Sequence, residues 1–232
     1  MLLLEAGEVT VLGLLPYSSN YTFLAKVSLD QAETHAVYKP RRGERPLWDF
    51  AHGSLAGREV AAYLVSAASG WSLVPPTVLR EDAPLGAGSL QQFVQHDPER
   101  HYFTLMEERA EELRRFAAFD AVINNADRKA GHVIEDASGK LWAVDHGVSF
   151  HVQPKLRTVI WSYAEEPLGS EVRAVLEQLG AQLGERSELR TGLASLITPD
   201  EIDATLDRIE TLLLEDRFPA PGTDRPLPWP LI

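Results

Sequence analysis

Between Val9 and Lys39 apolar residues come in short, often alternating runs separated by turn residues. That period-two pattern predicts three strands, residues 9–14, 21–27 and 34–39, with 16–20 as the first turn, and so an antiparallel sheet. Pro40 is expected to end the third strand, because it has no N–H to give to a ladder. A different period takes over at residues 54–69, where Leu55, Val60, Tyr63 and Leu64 recur at helical spacing among alanines, and Gly70 stops the helix. Short strands follow at 77–79 and 89–94. Residues 107–123 carry a long helical pattern, with Leu113, Phe116, Ala117, Asp120 and Ile123 in register, ending in Asn124-Asn125. Apolar runs at 132–135 and 141–144 flank Asp-Ala-Ser-Gly-Lys, which reads as a hairpin. Two more helices are expected: 170–183, and one from a Thr198 cap with Pro199 and Glu201 behind it to about residue 214. The pattern is thus α+β. It divides near residues 95–100 into a sheet-bearing segment, 1–95, and a mostly helical one, 96–232.

Composition narrows the class. Apolar residues are 44% and charged residues 24% of 232, ordinary for a globular protein. The net charge of −12 is uneven: 9 acidic against 7 basic side chains in residues 1–95, and 25 against 15 in residues 96–232. Such a surface repels nucleic-acid backbones and anionic lipid, so neither nucleic-acid binding nor stable membrane association is expected. With no cysteine, disulfides and thiolate chemistry are excluded. The opening Met-Leu-Leu-Leu-Glu does not read as a signal peptide, and no apolar run approaches a bilayer span, so the expected location is the cytoplasm. Five of the fifteen prolines fall in residues 217–232, either an extended strip packed on the helical part or a loose end.

The chemistry concentrates in residues 119–148. Asp127 falls in a polar loop after a helix, and Asp145 follows the hairpin in Val144-Asp145-His146-Gly147. Two loops at the ends of neighbouring elements therefore each offer a carboxylate to one cleft. Phosphoryl transfer needs a metal ion bridging phosphate oxygens and a group orienting the attacking hydroxyl, and oxygen ligands suit magnesium. Arg41, Arg42 and Arg45 form the densest basic group; they either meet phosphate or make a solvated loop. Trp142 and Trp161 read as packing residues.

These segments resemble the phosphatidylinositol 3-/4-kinase-like superfamily, and within it a small actinobacterial group. Asp127-Arg128 resembles the opening of its catalytic loop, Asp145-His146-Gly147 its metal-binding Asp-x-Gly, and Val37-Tyr38-Lys39-Pro40 its nucleotide-binding strand, with Glu59 as the ion-pair partner of Lys39. The resemblance spans roughly residues 10–150. It implies a two-lobed protein-kinase-like fold and an ATP- and magnesium-dependent phosphotransferase, with manganese as an alternative ion, acting on a hydroxyl of a protein or small soluble molecule. It further implies Asp127 as the orienting carboxylate, Lys129 facing the γ-phosphate and Arg128 steadying that loop. Ser18, Ser19 and Asn20 would cover the phosphates, and Phe93 and Val94 would lie at the adenine. Asp145 would hold the metal. His132 stands where the family carries a second metal ligand, an asparagine. That replacement leaves two other readings open, an ATP-binding regulatory module without turnover and a transferase of AMP. His146 is expected to face the cleft with no proton-transfer role.

Overall fold

The computed structural model describes residues 1–16, 21–184 and 186–232. Five antiparallel strands form its first sheet: β1 (Glu8–Leu14), β2 (Phe23–Leu29), β3 (Ala32–Pro40), β4 (Thr77–Arg80) and β5 (Gly88–Gln92), in the order β1-β2-β3-β5-β4. Alternation along β3 sorts its side chains. Ala36 and Tyr38 enter a small core with Val27, Val78 and Leu90, and Lys39 points to the opposite face. Pro40 does not fall outside the strand, as its missing N–H suggested; it is the last residue of β3 and pairs with Gly88. A Cβ on Gly88 would stand 2.4 Å from the Lys39 carbonyl, so the close pairing there needs glycine. Helix α1 (Leu2–Ala6) is tied to β4 by Arg80, whose Nη1 donates to the carbonyls of Leu4 and Gly7 at 3.0 Å each.

Helix α2 (Leu55–Ala68) follows β3 in sequence, yet its inner residues Ala61, Ala62 and Val65 pack into the larger core of the helical half. That core is built by α4 (Ala110–Ile123), α5 (Gly169–Gln182), α6 (Glu188–Ala194) and α7 (Pro199–Glu215), with the short α3 (Tyr102–Leu105) at its edge. The two-stranded hairpin β6 (Val133–Glu135) and β7 (Leu141–Ala143) contributes Val133, Leu141 and Ala143. Local sequence explains the ends. Thr198 caps α7 through a reciprocal bond with Glu201, with Pro199 in the first turn, while Asn124 at φ 52° closes α4 in the left-handed region that asparagine tolerates. Residues between Glu107 and Ala110 are turn rather than helix, so α4 starts three residues later than its pattern suggested. The whole is an α+β fold with a small antiparallel sheet at one end and helices at the other, the two-lobed kinase-like arrangement. Among the described residues no helix is long and apolar enough to cross a membrane.

Candidate active site

Lys39 leaves β3 toward a cleft between the sheet and the helical half, and there it meets two carboxylates. Its Nζ donates to Glu59 Oε1 and, at 2.8 Å, to Asp145 Oδ1. Glu59 comes from the second turn of α2, is 2% exposed, and accepts the His146 backbone N–H on its other oxygen at 3.0 Å. Burial raises the Glu59 carboxyl, with Lys39 opposing. Burial also disfavours charge on Lys39 and on Asp145, but their mutual attraction wins: Lys39 is held above its ordinary value and Asp145 below its own. Asp145 itself adopts φ 62°, a left-handed conformation unusual outside glycine, and its side chain is 46% exposed to the cleft.

The second loop leaves α4. Both asparagines after the helix serve the backbone: Asn124 Nδ2 donates to the carbonyls of His151 and Gln153, and Asn125 Oδ1 accepts the Asp127 N–H at 3.0 Å. Neither is free to act as a metal ligand. Asp127 lines the same cleft as Lys39 and Asp145, with Lys129 Nζ 3.3 Å from its Oδ2. Burial raises Asp127 to about 6, against the pull of Lys129.

Arg128, grouped with the catalytic residues by its motif, does not reach the cleft. It is fully buried, its Nη2 2.9 Å from Asp120 Oδ1 and its Nη1 donating to the carbonyls of His132 and Val144. Both the catalytic and the metal loop therefore hang on one guanidinium. His146 does not face the cleft either: it is completely buried, its Nε2 accepts from Arg128 at 2.7 Å, and burial followed by the Arg128 charge keeps it neutral.

His132 is the last residue of the short turn that ends the catalytic loop, Ala130–His132, and points its Nε2 at Asp145 Oδ2, 3.4 Å away. Burial lowers it to about 4, so the ring is neutral. Its Nδ1 lies 3.5 Å from the Lys129 N–H, which places the ring proton on Nε2, toward Asp145. Among the described residues no three acidic or histidine side chains gather as a metal cage. Magnesium is usually held by one or two carboxylates with phosphate oxygens and water completing the shell. Asp145 fits this requirement, and His132, a nitrogen ligand, fits a softer ion better.

The nucleotide-side expectations fare unevenly. Ser18, Ser19 and Asn20 lie outside the described residues. Phe93 and Val94, expected at the adenine, follow the end of β5: the Phe93 N–H donates to the His35 carbonyl at 2.9 Å, prolonging the β3–β5 ladder, and the Val94 carbonyl receives His96 Nδ1 at 3.0 Å. Neither lines the cleft around Lys39, which is instead walled by Tyr21, Glu44, Leu55 and Ala56. Arg41 lies 3.5 Å from Glu81, on the sheet side. Trp142 packs on Lys140 and donates to Asp136, and Trp161 donates to the Pro226 carbonyl.

Two residues important to the site carry no motif. Asp120 anchors Arg128, and Arg58 spans three elements, donating to the Ser149 carbonyl at 2.6 Å and to Glu201 Oε1 at 2.5 Å while lying over the Phe50 ring. The signal for both was the same. Each is a charged residue on an otherwise apolar helix face, which is sustainable only with a buried partner.

A sheet-borne lysine paired to a helix glutamate is thus met across the cleft by an Asp-Arg loop and an Asp-x-Gly loop, in the order that the resemblance to the phosphatidylinositol 3-/4-kinase-like superfamily implies. The chain is 41% identical to Protein Rv2133c of Mycobacterium tuberculosis over 98% of its own length and 93% of the other's, and it belongs to that protein's family. Over 56% of the chain it is also 32% and 30% identical to the phosphatidylinositol 4-kinase gamma 4 proteins of rice (Oryza sativa) and Arabidopsis thaliana. That similarity covers 26% and 28% of their lengths. A solved structure, the Helicobacter pylori proinflammatory kinase CtkA, superposes with a TM-score of 0.49 at 10% identity over 90% of this chain and 98% of that one. No protein-family model matches the chain.

Proposed function

We propose that the protein is an ATP- and divalent-metal-dependent phosphotransferase acting on a hydroxyl group. The observation that carries this reading is the bridging of Lys39 between Glu59 and Asp145 on one wall of a cleft that Asp127 also lines. In this reading Lys39 neutralises nucleotide phosphates and Glu59 keeps its ammonium in place. Asp145 carries the metal, and Asp127 accepts a hydrogen bond from the attacking hydroxyl. The ion, when bound, supplies charge neutralisation at the transferring phosphate. An aspartate raised to about 6 suits the Asp127 role, because a hydrogen-bond acceptor near neutrality is a better proton acceptor than an ordinary carboxylate. Lys129, beside it, would meet phosphate charge in the same reading. The net charge of −12 favours a protein or small soluble acceptor over an anionic membrane headgroup.

One observation favours a second reading, a nucleotide-binding module with little turnover: His132 aims a ring nitrogen at Asp145, where transfer chemistry would be served by an oxygen ligand. Calorimetric titration with a non-hydrolysable ATP analogue and magnesium, beside an ATP-consumption assay and intact-mass analysis of acceptors, separates the two. Asp145→Asn is expected to abolish metal-dependent nucleotide binding. Asp127→Asn should keep binding and lower transfer by about 10²–10⁴-fold. Tight binding by the parent with no transfer to any acceptor would establish the module, and parent-like behaviour of both variants would overturn the site assignment.

A further inference from the structure

The catalytic loop has a brace that none of the motifs describes. Between Asp127 and His132 the chain forms one short turn, with neither a strand nor a long helix to hold it. Its buried centre, Ala130, donates its N–H to the Leu231 carbonyl at 2.8 Å. Beside it, a Cβ on Gly131 would stand 3.7 Å from Ile232 Cγ2, in ordinary contact. Five residues before Leu231, the Pro226 carbonyl accepts two hydrogen bonds at 3.1 Å, from the Thr158 N–H and from Trp161 Nε1. Thr158 is the bridge partner of Arg128; the Arg128 N–H donates to the Arg157 carbonyl at 2.9 Å and the Val159 N–H to the Arg128 carbonyl at 3.1 Å. The segment therefore grips both sides of the bridge from which the catalytic loop hangs. Between the two grips Pro228 is buried, and Leu231 packs on the large core, while Trp229 faces outward at 87% exposure.

The composition of the segment fits a brace. Residues 225–232 read Arg-Pro-Leu-Pro-Trp-Pro-Leu-Ile, and each proline fixes φ in advance, so little conformational freedom remains to be lost on docking. Each carbonyl used is an acceptor, which proline supplies as well as any residue. Without the segment, the N–H groups of Ala130 and Thr158 would have only water to bond. None of the hydrogen bonds described for Lys39, Glu59 or Asp145 involves this segment, so its influence falls on the loop that carries Asp127.

We propose that residues 226–231 are a positioning element of the active site, holding the catalytic loop so that Asp127 is correctly placed for transfer while leaving nucleotide binding at Lys39 untouched. The effect on turnover rests on the phosphotransferase reading above; the bracing of the loop does not. The test compares the parent with a chain ending at Asp224 and with Leu231→Asp, which keeps full length but loses the apolar anchor. Hydrogen–deuterium exchange is followed in residues 125–132 and in α4, alongside kcat and KM for ATP. The expected result is exchange in 125–132 faster by about tenfold with α4 unchanged, and kcat lower by about tenfold or more with KM within about twofold, since small displacements of a catalytic group act on rate. Adding a peptide of residues 225–232 to the shortened chain should restore part of the loss. Unchanged exchange in 125–132 in both variants, or a KM effect with kcat intact, would overturn the proposal. Should the parent transfer no phosphate, the exchange data still decide whether the loop is braced, and only the phosphotransferase reading falls.

Discussion

His132 faces Asp145 across 3.4 Å as a neutral ring, because burial first, and after it the charges of Arg128, Lys129 and Lys39, outweigh the pull of Asp145. A neutral imidazole with its proton on Nε2 can contact the carboxylate but offers it no compensating charge. To bind an ion through Nε2 the proton must move to Nδ1, which would then face the Lys129 N–H, donor against donor. Both facts weaken His132 as a magnesium ligand, and an asparagine oxygen would face neither difficulty. His132→Asn is therefore expected to raise magnesium-supported transfer by about tenfold and to lower the ratio of manganese- to magnesium-supported rates, given how strongly ligand surroundings tune metal affinity. Steady-state rates with each ion check this; an unchanged ratio would show that His132 has no part in ion choice. Asp120 and Arg128 illustrate what was legible at this scale. The apolar register of α4 already included Asp120, a carboxylate that an apolar face does not tolerate unpaired, but the identity of its partner depended on the turn made by Asn124 and Asn125.

At the scale of elements, α2 decides whether Lys39 finds Glu59. Its small residues let it come close to α6 and α7, and Gly57 marks the tightest approach: a Cβ there would stand 2.8 Å from the Leu196 backbone oxygen. Arg58, one residue on, fastens the same turn to Glu201 and Ser149. Gly57→Ala must move either the helix or the segment after α6. We expect it to cost about 1–3 kcal/mol of stability through overpacking. The displaced Glu59 should weaken affinity for an ATP analogue by about tenfold. Thermal unfolding and calorimetric titration measure the two effects, and unaltered affinity would show that α2 is not what positions Glu59. The long elements α2, α4 and α7 could be read from the chain because period, caps and breakers agreed there. The five-residue α1, four-residue α3 and seven-residue α6 are too short to show a period and owe their form to tertiary packing. Strand register was not legible for another reason: no periodicity fixes it, and it carries the β3–β5 ladder on to Phe93, whose N–H bonds the His35 carbonyl.

For the molecule as a whole, the two cores differ greatly in size. Among the described residues the sheet end buries nine core side chains in its own cluster, three of them no larger than alanine, whereas the helical cluster holds thirty-four and includes the inner face of α2. Stability in such a fold is not uniform, because opening free energy follows the local amount of buried apolar surface. Lys39 links the sheet to the helical part, and its contact to Glu59 is sheltered from water and would leave that buried carboxylate uncompensated if broken, whereas Asp145 stays partly exposed to the cleft. Two consequences follow for native-state hydrogen exchange. In the parent, amides of β2 and β3 should exchange through an opening of lower free energy than those of α4. In Lys39→Met that gap should widen, with the strands destabilised and α4 little changed, because the variant removes a link on the sheet side and no side chain from the large core. Native-state exchange of both proteins tests this directly. Equal opening free energies for strands and α4 in the parent would mean that the chain opens as a single unit, and the cleft would then have to admit its nucleotide without separate movement of the sheet.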